Sequence, residues 1–544
     1  MLGAWALLAT TALARPTDPG VRHDASDGAA PRTLAAMTPD EQVFFQDGLT
    51  RFEAVEVVSG ATATQGNGLG PRFNSNQCAS CHIQPTVGGS SPPLNPLPAV
   101  ASAEGATNQL PWFITSHGPI REARFVISSG VPDGSVHDLF VITGRSDAGS
   151  CSIAQADFQP AGNPLTGQGG NRNIVFRIPT PLFGAGLIEA IPDSAILANQ
   201  NANTAVKRQA GVRGHPNAIL GGNTNRSAND GTITRFGWKA QNKSLLMFAG
   251  EAYNVEMGIS NQLFPQERDE TPNCQGGYPT PNDTDNFPSP AAPPVATAVL
   301  SDIEAFANFI RMLAPPVPGP ATASTQRGSA VFASVGCSLC HTPVMYTGTA
   351  VASGSYTLPS AALSRQQVHL YSDLLVHHMG TGLADGITQG AAGPDEFRTA
   401  PLWGVGQRQF FLHDGRTADL VQAIQDHASP GSEANQVVQN FSALSEEAQQ
   451  DLINFLRTCS HAAPSLDRDE RDLAGAALRQ HQSPVARGHH VAHYAAAGRN
   501  DPALELLGLR IKPHQRVGLH ARLAVPDDVV QRRDAVGLGG GATR

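Results

Sequence analysis

Apolar positions recur at helical spacing in two widely separated stretches of the chain. Ile303, Phe306, Ile310 and Leu313 advance by three or four residues and so fall on one helical face. Ser301 and Glu304 stand at capping-box spacing at its start, and Pro315 ends it. A second helix is predicted from about Ser445, turning Leu452, Phe455 and Leu456 inward. Around these stretches the pattern loses its period. The run from Pro265, "PQERDETPNCQGGYPTPNDTDNFPSPAAPPVA", reads as a surface loop from its Pro, Asp and Asn content. With 55 glycines, 41 prolines and only 15% charged residues, the chain reads as modest helical cores joined by long, turn-rich connections. Its 544 residues allow two to four domains.

The two helices close the two copies of a repeated plan. "GLTRF" (Gly48 to Phe52) is answered by "GSAVF" (Gly328 to Phe332), and "FRIPTPLFGAG" (Phe176 to Gly186) by "FRTAPLWGVG" (Phe397 to Gly406). "RFGWKAQNKSLLMFAGEA" from Arg235 is answered by "FFLHDGRTADLVQAIQDH" from Phe410, and "ANFIRML" by "INFLRTC", in the same order. The copies differ in length. Cys78 and Pro181 are 103 residues apart, against 64 for Cys337 and Pro401, so the first copy carries an insertion rich in Gly, Pro and Asn.

Each copy contains one Cys-x-x-Cys-His: "CASCH" from Cys78 and "CSLCH" from Cys337, which take four of the seven cysteines. This spacing is that of covalent c-type haem attachment. Two thiols three residues apart reach the two vinyl groups of one haem, and the adjacent imidazole becomes the proximal iron ligand. Cys78, Cys81 and His82 would hold one haem; Cys337, Cys340 and His341 would hold the other. A zinc site draws four ligands from neighbouring pairs, whereas these pairs lie 259 residues apart. A dithiol redox centre needs one such motif beside a βαβ unit.

Compartment follows from the same chemistry. "MLGAWALLATTALARP" is an apolar run with a small-x-small site, Ala12 to Ala14, before Arg15, so residues 1–14 read as a signal peptide without a basic n-region. Covalent haem attachment normally takes place outside the cytoplasm, and no later apolar run reaches the length of a membrane span. A periplasmic protein is expected. The net charge of −9 argues against nucleic-acid binding. Cys151, Cys274 and Cys459 remain outside the motifs; a Cys151–Cys274 disulfide suits an oxidising compartment, but an odd count leaves the pairing open. Residues 460–544 hold seven of the eighteen histidines and a net charge of +3, with little periodicity, and read as a disordered or non-native tail.

Over roughly residues 40–459 the chain resembles the di-haem cytochrome c peroxidase superfamily, in particular its larger branch of di-haem thiol oxidoreductase-like and di-haem peroxidase-like proteins. The resemblance rests on "GLGPRFNSNQCASCH", "RIPTPLFGAGLIEAIPD", "RFGWKAQ", "NVEMGI", "YSDLLVHHMG", "RTAPLWGVG" and "FLHDGR". It implies a mainly α fold with two cytochrome c-like haem domains in tandem and long loop-rich insertions, at residues 36–316 and 324–459. It also implies two covalently bound haem c groups, peroxide reduction or oxidation of a protein or thiol substrate, and electrons from a small cytochrome or cupredoxin. The family's Glu-Met-Gly element transfers its catalytic carboxylate to Glu256, and Trp238 matches the tryptophan between the haems. The family's Gln ten residues before that Glu is Leu246 here. For the second haem the resemblance points to His427 as sixth ligand, with Met379 and His413 as fallbacks. The first haem has His117, His137, His215 or no residue in that role. The family also places calcium between its domains, although no ligand cluster in the sequence marks it. A non-catalytic electron-transfer cytochrome with both irons capped is the alternative.

Overall fold

The computed structural model describes residues 16–458 apart from 25–26, 29–30, 58–68, 71, 107–108, 138, 142–154, 156–157, 159–172, 219–232, 267–281, 285–299, 350, 354–355 and 359. The signal-peptide segment, Cys151, Cys274, Cys459 and the tail lie outside the described residues.

The described chain is mainly helical, with a few short strands. The elements that position the site are helix α1 (Pro39–Phe52), strands β1 (Arg72–Phe73), β2 (Glu122–Phe125), β3 (Val136–His137) and β4 (Ile174–Arg177), and helices α2 (Leu245–Met257), α3 (Asp302–Met312), α4 (Ala323–Val335), α5 (Leu420–Asp426) and α6 (Glu446–Thr458). The order β3-β2-β4 forms an antiparallel sheet inside the Gly-, Pro- and Asn-rich insertion of the first copy.

Two helix pairs repeat one another. Helix α1 packs on α3 and α4 packs on α6. Both crossings are made at a glycine: a Cβ on Gly48 would overlap the Ala305 carbonyl oxygen, and one on Gly328 that of Asp451. Four residues on, Phe52 meets Phe309 at 5.0 Å between ring centroids, and Phe332 meets Phe455 at 5.5 Å. The glycine lets the backbones close and the phenylalanine fills the wedge beside them, which explains Gly-x-x-x-Phe in both copies. Replacing Gly48 or Gly328 by alanine is therefore expected to cost about 1–3 kcal/mol through overpacking, read as a lower denaturation midpoint.

A buried ion pair anchors the end of each closing helix. Arg311 Nε donates to Glu189 at 2.7 Å, and Arg457 Nε donates to Asp18 at 2.6 Å. Asp18 belongs to the N-terminal segment, where Arg22 also donates to the Thr458 carbonyl at 2.9 Å.

The expected capping box at Ser301 is not formed. Ser301 is the N-cap, but its side chain accepts no capping bond. The carboxylate of Asp283 accepts instead from the Asp302 and Ile303 amides, at 2.7 and 3.1 Å. A carboxylate at a helix N-terminus meets the exposed amides and the positive end of the dipole together, so a residue from the intervening loop supplies the cap. The face predicted from Ile303, Phe306 and Ile310 is buried, and so is every other residue of α3.

Candidate active site

Each Cys-x-x-Cys-His motif borders a large, mainly apolar cavity. The first takes in about 1220 Å³ of space, part of it open to solvent, and is lined by Cys78, Cys81 and His82 together with Phe52, Leu97 and Ile310. The second takes in about 1430 Å³ on the same measure and is lined by Cys337, Cys340 and His341 together with Phe332, Leu420 and Leu456.

The two histidines are oriented alike. His82 Nδ1 donates to the Gly89 carbonyl at 3.1 Å and His341 Nδ1 to that of Tyr371 at 3.0 Å. A carbonyl can only accept, so Nδ1 carries the proton and Nε2 keeps its lone pair, as an iron ligand requires. Burial pushes both imidazoles down to about 4, so they are neutral near pH 7. The same burial pushes the Cys81 thiol up to about 11 and the Cys337 thiol up to about 12. That disfavours thiolate-driven dithiol exchange. Among the described residues no cluster of three or more His, Cys, Asp or Glu side chains could hold a metal ion. Two thiols, a neutral imidazole with a free lone pair and a mainly apolar chamber fit haem c in both places.

Opposite functional groups enter the two cavities from matching helices. In each copy a turn closed by a backbone bridge precedes the helix: Phe236 to Asn242 before α2, and Phe411 to Thr417 before α5. Helix α2 ends by placing Glu256 in the first cavity, and α5 ends by placing His427 in the second.

Glu256 is held from several sides. Asn74 Nδ2 donates to its Oε2 at 2.9 Å, and the Asn74 and Ser75 amides bind its backbone carbonyl. Its carboxyl hydrogen-bonds Glu122 on β2, whose Oε1 in turn accepts from Arg124 Nε at 2.6 Å. Burial first, then the charge of Glu122, pushes Glu256 up to about 8. Arg124 instead holds Glu122 below the usual carboxylate range against its burial. Beyond them Arg177 pairs with Asp385 at 2.8 Å, and Lys239 reaches the same carboxylate at 3.0 Å.

The three histidines considered for the first haem do not line its cavity. His117 is exposed and meets Ser116. His137 is buried, stacked on Phe125 at 3.9 Å and bonded through Nε2 to Asp133 at 2.6 Å. His215 bonds Glu396 through Nε2 at 2.7 Å. Met257 does line the cavity, its sulfur 3.9 Å from that of Cys78.

In the second cavity His427 donates from Nδ1 to the Ala423 carbonyl at 2.6 Å, which leaves Nε2 as its lone-pair nitrogen. Met379 and His413 line the same cavity. His413 is stacked on Phe397 at 4.2 Å and is pushed down to about 4 by burial. Trp238 lines both cavities; its indole N–H donates to the Ile178 carbonyl at 2.9 Å and its ring lies 6.5 Å from that of His413.

The sequence reading missed Glu122, Arg124 and Asn74. Asn74 lies four residues before Cys78 within "RFNSNQCASCH", so a polar side chain flanking the motif was a usable signal. Glu122 and Arg124 lie in "REARF", where a four-residue strand is too short to show a period.

Residues 169–459 match the family model described as "Di-haem oxidoreductase, putative peroxidase". Among curated proteins none matches the chain. Three solved structures are similar to parts of it. A hydrazine synthase from Kuenenia stuttgartiensis is 21% identical over 29% of this chain and 55% of its own, with a TM-score of 0.20. A MauG-like protein associated with microbial copper homeostasis is 18% identical over 29% and 52%, also at 0.20. The diheme peroxidase BthA from Burkholderia thailandensis E264 is 16% identical over 52% and 87%, at 0.24. The chain spans about half the length of the first two.

Proposed function

The chain belongs to the di-haem oxidoreductase family and is an oxidoreductase, and from that premise we propose that it reduces hydrogen peroxide to water as a periplasmic di-haem c peroxidase-like enzyme. Cys78, Cys81 and His82 would hold one haem, and Cys337, Cys340, His341 and His427 would hold the other. Bound there, the haems supply one-electron storage and an iron centre at which peroxide is reduced. A small cytochrome or cupredoxin supplies two electrons, and two protons complete the conversion of H₂O₂ to two waters.

The remaining steps belong to the polypeptide. Glu256 takes a proton from one peroxide oxygen and returns one to the other as the O–O bond breaks, which requires a pKa near the working pH. Asn74 orients the carboxyl. Trp238 fills the space between the two cavities and provides a π system along the electron path. Within the described residues no helix is long and apolar enough to cross a membrane.

The observation that carries this reading is the half-buried Glu256 carboxyl in a cavity whose lining, among the described residues, contains no histidine besides His82. An electron carrier with both irons capped has no use for such a group. The test is an optical and EPR titration of the haem-loaded protein, oxidised and half-reduced, with a small excess of hydrogen peroxide. A high-spin signal consumed by peroxide is expected. Two low-spin haems that ignore peroxide in both redox states would sink the reading and leave an electron-transfer protein.

A further inference from the structure

We propose that Glu122 is the working partner of Glu256, so that the acid–base group of the first cavity is a carboxyl–carboxylate pair sharing one proton. The chemistry assigned to the pair rests on the peroxidase reading; the pairing itself does not.

The geometry supplies both halves. Glu122 and Glu256 line the same cavity and hydrogen-bond one another. Two carboxylates at that range cannot both ionise cheaply, so one proton stays between them. The surroundings decide which side holds it. Glu122 is fixed by Arg124 at 2.6 Å and also feels Arg177 on β4. Among the described residues Glu256 receives only the neutral amide of Asn74 as a direct side-chain donor, with the charge of Arg124 as a weaker influence. The other ionisable groups bordering the cavity among the described residues are Cys78, Cys81, His82, Arg121 beside β2, and Glu251 and Tyr253 on α2. Arg121 also donates to the Asp414 carbonyl at 3.0 Å, and Glu251 accepts from Asn242. The proton therefore rests on Glu256, with Glu122 ionised.

A lone protonated carboxyl is a poor base. The pair removes that limit, because a protonated Glu256 has a hydroxyl to give and a carbonyl oxygen to receive. When the inner peroxide oxygen passes its proton to that carbonyl oxygen, the Glu256 hydroxyl proton moves to Glu122. Both transfers reverse as the outer oxygen takes a proton and leaves as water. The pair returns to its starting state with one water released, and the remaining oxygen becomes the second water with two electrons from the redox-protein donor and two protons from solvent. Glu122 acts through Glu256 and is a positioning residue.

The test is an infrared pH titration of the haem-loaded protein. Wild type is expected to show a protonated-carboxyl band that ionises near pH 8 and is absent in Glu256→Gln. In Glu122→Gln the midpoint should fall by about one pH unit or more, since both the like charge and the proton acceptor are gone. Glu122→Asp, which keeps the charge but withdraws it by one methylene, should shift the midpoint in the same direction by less, and it serves if the glutamine variant does not fold. A wild type without the band, or a midpoint unmoved in the Glu122 variants, overturns the pairing. If the band behaves as stated and peroxide is not reduced, the pairing stands and the peroxidase reading falls.

Discussion

Glu256→Gln is expected to lower kcat/KM for hydrogen peroxide by about 10²–10⁴-fold, the usual worth of a positioned acid–base group, while both haems stay attached. Glutamine preserves the volume and can still meet Asn74, so the variant removes the titratable proton with little repacking. The loss should therefore appear with unchanged haem content and an unchanged spectrum from the second site. Unaltered turnover would exclude Glu256 from proton transfer. The pH dependence of stability gives an independent check. The folded state raises this carboxyl from its ordinary 4.5 to about 8, so it binds a proton that the unfolded chain releases between those values. The associated stability is fully present below about pH 4.5 and is lost as pH rises through about 8. Glu256→Gln lacks this dependence, and its melting temperature should fall less than that of wild type between pH 5 and 8.

The legible parts of the molecule were those where one residue type answers one local demand. Cys-x-x-Cys-His states its chemistry within five residues, and Gly48 and Gly328 were visible as matching positions of the repeat, although the close helix crossing they permit was not. The closing helices were visible because Ile303, Phe306 and Ile310, like Leu452, Phe455 and Leu456, must face a core. The surroundings of Glu256 were less legible because they are assembled across the chain. Asn74 precedes the first cysteine, Glu122 and Arg124 sit on a four-residue strand in a Gly- and Pro-rich insertion, and Glu256 ends a helix more than a hundred residues later. No local period records that meeting. The cap of α3 failed for the same reason: the serine at the right spacing was displaced by Asp283, a carboxylate delivered by a loop.

The repeated plan also explains how one chain can build two unlike iron sites. In both copies a bridged turn leads into a helix whose C-terminal end meets the cavity that the Cys-x-x-Cys-His imidazole also lines. On the proposed reading a carboxyl at that end, Glu256, would leave room for a reactant and move protons, and an imidazole at that end, His427, would fill the space with a ligand. His427→Met tests the second half of this division. Exchanging an imidazole for a thioether favours the reduced iron, so the second haem's potential should rise by on the order of 0.1 V, within the roughly 0.8 V that axial ligands span. Its low-spin EPR signal should change from a His/His to a His/Met type, and the first haem should keep its potential. Spectroelectrochemical titration reads both sites at once. A second haem with unchanged potential and signal would remove His427 from the iron and turn attention to Met379 and His413, which line the same cavity.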